Sequence, residues 1–500
     1  MTTAVVEQTS ATPPAAGPLH PRRWLALMVL GIAQLMVVLD ATIVNIALPH
    51  AQADLNITNA DRQWVMTAYT LAFGGLLLLG GRIADYWGRK RTFIVGSIGF
   101  ALASALGGLA TNGELLFAAR ALQGAFGALL APAGLALLTV LFTEAKERAK
   151  AFAVYGAISG GGAAIGLVLG GVLTESLDWR WCLLVNIPVA ALLVILALPI
   201  VPESKAHGDT RYDIPGAVAA TLGLTSLVYG FTKAAENGWG AGATLGFIGT
   251  GVALLVAFVV IELRSKNPLL PMRILLDRNR GGAFLSSLFV GAGMMGAFFF
   301  LTFYFQGVLM YSPVKAGLAS LPITAGVFVS AGLASKLVVK FGPKPLMVIG
   351  AVLASASMAW LTQIGVHTSY TTHVLPAQLL MGLGMGFIFV PLSSIALLGV
   401  PEHDAGAASA TLNATQQVGG SLGAALLNTF ATTAFAAYLT SHPQATPEAA
   451  QVVMAEAAVH SYIVAFAWGS GIILLAGVVA GLVIKAGKGQ VSDSQAVHLG

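Results

Sequence analysis

Asp40 and Arg120 stand where charge is hardest to keep. They are the only formally charged residues far from the ends of the long apolar stretches in this 500-residue chain. An ionised side chain in a low-dielectric interior is costly, so such residues are functional by default. Burial disfavours the charged form of a carboxylate, while a nearby arginine favours it. A movement that changes the separation of the pair would therefore change the proton affinity of Asp40, which is the physical requirement for coupling protons to conformation. The plainer alternative is a static ion pair.

A second cluster is Gly81-Arg82-Ile83-Ala84-Asp85-Tyr86-Trp87-Gly88-Arg89-Lys90-Arg91, one acid among four bases. It is expected to be a tight loop in which Gly81 and Gly88 let helices approach closely. Asp85 would bond to a neighbouring helix N-terminus, with Arg89 beside it, as a latch. Gly162, Gly166 and Gly170 lie four apart on one helix face, with Gly171 adjacent, where small residues permit close packing. Polar residues within apolar stretches (Gln34, Asn45, Gln123, Tyr304, Gln306, Asn413, Gln416 and Gln417) are candidates to line a cavity, although each singly suits a helix–helix hydrogen bond better. The aromatic run Phe298-Phe299-Phe300 with Phe303, Tyr304 and Phe305 fits a lipid-facing or core role; any part facing a cavity would suit flat apolar cations. Gly419-Gly420-Ser421-Leu422-Gly423 and Gly291-Ala292-Gly293-Met294-Met295-Gly296 match hydrolase and dinucleotide patterns, but both lie in apolar helices without the strand-turn-helix context those chemistries need. There is no phosphate loop and no zinc-binding HExxH. The single Cys182 excludes an intrachain disulfide and a cysteine-based metal site. No cofactor is expected.

The elements that must position these residues are membrane helices. Hydrophobic residues make up 56% of the chain and charged residues 9%, against about 25% charged in a soluble domain, and the mean hydropathy is +0.81. The pI near 9.3 comes from scattered bases that form no stripe, so nucleic acid is not an expected partner. At about 20 apolar residues per crossing, fourteen spans emerge, approximately 24–48, 64–81, 92–111, 114–139, 149–174, 181–201, 214–235, 241–262, 281–307, 314–335, 345–366, 374–399, 406–436 and 458–484. The third and fourth are separated least clearly, by Thr111, Asn112, Gly113 and Glu114. With both termini cytosolic, 21 of the 26 Lys and Arg fall on the cytosolic side and only Arg62, Arg180 and Lys315 outside. On that orientation Asp40 and Arg120 lie at matching depths, roughly 12 and 9 Å below the outer surface at 1.5 Å per residue.

Gly88 and Gly96 match Gly342 and Gly350, and Gly127 and Pro132 match Gly386 and Pro391, at offsets of 254 and 259. Parallel six-helix halves with a midplane site between them are a transporter architecture. The expected organisation is a disordered cytosolic tail at 1–21, a six-helix half at 22–203, two inserted helices with a cytosolic loop at 204–280, a second half at 281–486, and a cytosolic tail at 487–500.

The 81–91 segment resembles the signature between the second and third helices of the major facilitator superfamily, and further motifs resemble its fourteen-helix drug:proton antiporter family. Leu39-Asp40-Ala41-Thr42-Ile43-Val44-Asn45-Ile46-Ala47-Leu48-Pro49 is similar to that family's first-helix motif, Arg120-Ala121-Leu122-Gln123-Gly124-Ala125-Phe126-Gly127 to its fourth-helix motif, and Trp179-Arg180-Trp181 with Asn186-Ile187-Pro188 to the stretch opening its sixth. Tyr86 stands where the signature has arginine, and Leu167 follows Gly166 where the fifth-helix antiporter motif has proline. The resemblance implies an all-α polytopic fold and a plasma-membrane exporter exchanging protons for lipophilic neutral or monocationic compounds. Asp40 would carry the proton, Arg120 tune it, and Asp85 with Arg89 latch the inward gate. The implied partners are the small-molecule substrate, protons and membrane lipids, with the protein a monomer. An exporter or symporter of one endogenous metabolite is the rival within transport. A membrane-embedded enzyme or sensor would need a second intramembrane acid, a nucleophile–base pair or a large soluble domain, and the sequence offers none; Glu236 and Glu262 are expected at span ends in reach of water.

Overall fold

The computed structural model describes residues 22–142, 144–205, 213–265, 268, 270, 272–400, 405–442 and 447–487. The tail expected at 1–21 and all but the first residue of the tail expected at 487–500 lie outside these residues. The described chain is helical: α1 (Arg23–Asp54), α2 (Trp64–Trp87), α3 (Arg89–Gly108), α4 (Gly113–Leu141), α5 (Ala145–Ser176), α6 (Trp181–Leu184), α7 (Asn186–Ile200), α8 (Ile214–Asn237), α9 (Gly242–Arg264), α10 (Met272–Leu275), α11 (Arg278–Phe303), α12 (Pro313–Phe341), α13 (Pro343–Leu361), α14 (Leu375–Ala396), α15 (Ala405–Ser441) and α16 (Pro447–Val483). Single π-turns extend α11 over Tyr304–Val308 and precede α14 over Tyr370–Val374.

Among the described residues thirteen helices are long and apolar enough to cross a membrane. One of them, Trp181–Ile200, is α6 and α7 together. The remaining expected span coincides with α5, a 32-residue helix with an apolar stretch at Gly161–Ser176. Local chemistry sets several starts. Asn112 ends the ambiguity between the third and fourth spans, because its side chain accepts from Leu115 N and starts α4. Ser312 caps α12 and Asp277 caps α11 in the same way.

In the first half α4 packs against α2 and α3, and α1 against α5; in the second, α14 packs against α12 and α13, and α11 and α13 against α16. The halves meet where α2 crosses α15 and α5 crosses α12. Asn45 near the end of α1 donates to Thr302 Oγ1 near the end of α11 at 3.0 Å, so the two helices run in the same direction. Arg278 at the start of α11 donates to Val483 O at the end of α16 at 2.8 Å. The described ends of the chain therefore share one face of the bundle, here called the termini face, and the Asp54–Trp64 connection lies on the opposite, far face.

The two inserted helices pair with each other, and α8 docks on the halves. It touches both α2 and α15: Gln63 Nε2 donates to Thr232 Oγ1 at 2.9 Å, and Thr429 Oγ1 to Phe231 O at 2.9 Å. Only 11% of the α9 apolar window is buried.

The repeat read from glycine spacing has a structural counterpart. Gly88 alone joins α2 to α3 and Gly342 alone joins α12 to α13, at φ 128° and 83°, values that L side chains rarely adopt. The segment expected as a loop from Gly81 is thus helical to Trp87, and only Gly88 is non-helical. The expected close approach is displaced by one residue as well. A Cβ at Gly80 would collide with the Ala128 carbonyl on α4, whereas one at Gly81 would meet Pro132 Cβ at an ordinary 3.5 Å. Gly80→Ala should therefore destabilise the fold by about 1–3 kcal/mol, as overpacking does, while Gly81→Ala should be nearly silent. Thermal melts of the purified protein compare them, and equal melting of the two variants would contradict this packing.

Candidate functional site

Asp40 projects from α1 and Arg120 from α4, and both are fully buried. Arg120 Nη1 lies 2.6 Å from Asp40 Oδ2. Gln123, one turn beyond Arg120 on the same face of α4, donates through Nε2 to Asp40 Oδ1 at 2.6 Å and accepts from Arg120 Nη1 at 2.6 Å. These two charged neighbours fix its amide orientation, since the flipped amide would set its oxygen against a carboxylate. Asn186 at the start of α7 donates to Asp40 Oδ1 at 2.9 Å and to Ser104 Oγ of α3 at 2.9 Å, and Ser104 donates onward to Leu183 O. Arg120 Nε donates to Val65 O of α2 at 3.0 Å, and its Cζ sits 4.4 Å from the Tyr69 ring centroid.

Glycines bring these groups within reach. A Cβ at Gly124 would strike the Tyr69 carbonyl, so that glycine allows the close crossing of α4 over α2 that brings Arg120 to Val65. Across the site, Gly162, Gly166 and Gly170 all face α1. Their missing Cβ atoms would meet Leu35 (3.0 Å), the Thr42 hydroxyl and Ile43 O (2.8 Å) respectively. Gly171 turns to α12 instead, with Pro313 O at 2.6 Å. The sequence deviates from the antiporter pattern at Leu167, yet the face that packs beside Asp40 is intact.

The carboxylate accepts hydrogen bonds from three side chains, those of Arg120, Gln123 and Asn186. One nitrogen of the guanidinium, Nη2, is buried without a hydrogen-bond partner. Neither ion has an exposed atom.

The termini-face cluster differs in detail from the expected latch. Asp85 pairs with Arg89 at 2.7 Å, within one turn across Gly88. It does not cap a helix N-terminus; Glu203, beyond α7, does that for α3, accepting from Lys90 N at 3.1 Å and Arg91 N at 3.3 Å. A Cβ at Gly88 would lie 2.8 Å from Glu203 Oε1.

The polar residues singled out as possible cavity lining divide into groups. Gln123 belongs to the ion-pair network. Asn45 and Gln306 tie α1 to the α11 segment across the halves, Gln306 Nε2 donating to Ile46 O at 2.9 Å. Tyr304 is buried and donates to Gly365 O at 2.9 Å. Gln34 accepts from Tyr155 OH at 2.6 Å, Gln417 packs on Gly74, and Asn413 is exposed. Phe299, Phe300, Phe303 and Phe305 are core residues. One charge assignment changes: Glu262, expected in water, is 2% exposed and accepts from Leu270 N at 2.9 Å. Arg62 lies in the far-face α1–α2 connection, as its outer-loop assignment expects, and is 6% exposed there. Sequence reasoning missed Ser104, Tyr69 and the role of Asn186. Asn186 had a usable signal, an amide in an otherwise apolar span; Ser104 had none.

The sequence model of the Major Facilitator Superfamily matches residues 30–424. The chain is 52% identical over 470 residues to a puromycin resistance protein of Streptomyces alboniger, covering 93% of this chain and 92% of that one. It is 40% identical to a cephamycin export protein of Amycolatopsis lactamdurans (81% and 84% covered) and 33% identical to a tetracenomycin C resistance and export protein of Streptomyces glaucescens (83% and 77%). Among solved structures it is similar in fold to an inward-facing, occupied bacterial homologue of the human lysosomal transporter Spinster, at TM-score 0.66 and 14% identity with 93% and 97% covered. It is likewise similar to a peptide transporter in complex with sulfate, at TM-score 0.63 and 13% identity with 91% and 93% covered. A chain so matched along its length is a multi-pass membrane transporter, and it belongs to the major facilitator superfamily.

Proposed function

We propose that this transporter is a proton-coupled exporter of lipophilic, neutral or monocationic small molecules across the plasma membrane, with the termini face cytosolic. The observation that carries the reading is the sealed Asp40 network: a carboxylate with three donors and no exposure changes its proton occupancy only when conformation changes. In this reading Asp40 carries the proton, Arg120 takes its place as counter-charge when the proton leaves, and Asp85 with Arg89 latches the termini-face gate. The export direction draws on the relatives, which are named for resistance to, or export of, antibiotics. Each of those names also pairs a protein with a single compound, which favours a second reading, a dedicated exporter of one metabolite. Exposed Asn413 and half-buried Gln34 and Gln417 are the cavity residues we assign to substrate contact. We assign the halves to 22–203 and 281–486, the insertion to 204–280, and a monomeric state surrounded by lipid.

Asp40→Asn should abolish efflux of dyes from vesicles with an imposed pH gradient and lower stability, since it leaves Arg120 buried without its counter-charge and, among the described residues, the other acid buried in a long helix, Glu262, is held by the Leu270 amide at the end of α9. Normal pH-driven efflux by a well-expressed variant would remove the coupling assignment. Asp85→Asn should slow turnover while substrate binding to solubilised protein changes little; equal loss of both would make Asp85 a folding or binding residue. A dication in a low-dielectric cavity needs roughly two compensating acids, and Glu262 is committed to the Leu270 amide. Rigid dications should therefore be poor substrates beside monocations of similar size, and comparable export of both in competition assays would contradict the charge limit.

A further inference from the structure

On the far face, a cavity of about 280 Å³ lies in the seam between the halves, lined among others by Gln52 and Arg62 from the first half and Phe303, Thr432, Phe435 and Tyr462 from the second. It is below the ~300–1,000 Å³ of drug-sized pockets, so it suits a molecule of one ring. Exposed Met454 lies at its rim.

Arg62 gives this cavity its character. Its side chain is 6% exposed, and its Nε donates to the neutral Asn428 Oδ1 at 3.3 Å. Its Cζ lies 4.1 Å from the centroid of Phe303 and 5.3 Å from that of Phe299. Tyr462 is its other polar neighbour. Among the described residues no ion pair engages it; the adjacent Asp61 accepts from the Thr58 hydroxyl at 2.7 Å instead. Burial pushes the Arg62 pKa down, and a hydrogen bond to Tyr462 offsets part of that; its partners are neutral, so no opposite charge balances it among the described residues. Beside it the buried Thr432 hydroxyl has no hydrogen-bond partner. A guanidinium fork suits carboxylate geometry, and Phe303, Phe435 and Tyr462 supply walls for a flat apolar body. The ring face of Phe303 that would attract a cation already holds one.

We propose that this cavity is a binding site for small aromatic carboxylates, with Arg62 receiving the carboxylate and the Thr432 hydroxyl donating to it. The site is separate from the Asp40 network and requires neither proton coupling nor export. Because its walls come from both halves, an occupant bridges them.

The test is titration of the purified full-length protein with benzoate, benzyl alcohol and benzylammonium, followed by ligand-observed NMR. Benzoate should bind, the alcohol more weakly and the ammonium least. Arg62→Gln should weaken benzoate about tenfold or more, the effect of losing one charged hydrogen bond, and Arg62→Lys, which keeps the charge but loses the fork, should fall between Arg62→Gln and the unaltered protein. Should Arg62→Gln not fold, Thr432→Val serves in its place and should weaken benzoate several-fold without changing benzylammonium. Equal binding of the three probes, absence of benzoate binding, or benzoate affinity unchanged in the folded variant would overturn the proposal.

Discussion

The structure depends on keeping one carboxylate and one guanidinium together in a place where neither survives alone. Removing one partner of a buried pair costs about 3–5 kcal/mol, a large share of what a domain of ordinary stability has in hand. The network that prevents this draws on α1, α2, α3, α4 and α7 at once, through Asp40, Val65, Ser104, Arg120, Gln123 and Asn186. The ion pair thus fixes the relative positions of most of the first half. In the proton-coupled reading proposed above, sealing and coupling have a single cause, the packing of these five helices around Asp40 and Arg120.

Lipid gives helices no hydrophobic reason to associate, so packing must supply it. The glycines beside the site do this by allowing backbones to touch: α4 on α2 at Gly80 and Gly124, and α1 on α5 at Gly166 and Gly170. The same device recurs in the second half, where Cβ atoms at Gly382 and Gly386 would collide with Ile323 O and with Ser330 of α12. Gly88 and Gly342, both at positive φ, turn the α2–α3 and α12–α13 corners.

Length and apolarity made the spans legible, because a bilayer imposes one length on every crossing. Scarcity made Asp40 and Arg120 legible, and matched depth made their pairing reasonable. Other features depend on where a helix surface faces, which composition does not encode. Ser104 is one serine among many until α3 turns it toward Gln123. Gly80 and Gly81 are equal in sequence, and only the rotation of α2 decides which meets Ala128. Glu203 lies more than a hundred residues from the amides it caps, and Arg62 reads as a loop base although tertiary packing buries it. The helical stretch from Gly81 to Trp87 was misread as a loop because its charges mark the membrane surface, which is not where this helix ends.

The inserted pair makes the two seams unequal. Where α2 crosses α15, α8 lies over both and is bonded to each, whereas among the described residues the α5–α12 crossing carries no such strap. Coverage of the two crossings is therefore uneven: α8 adds a third helix over the α2–α15 crossing, while at the α5–α12 crossing the backbones meet directly, Gly171 against Pro313.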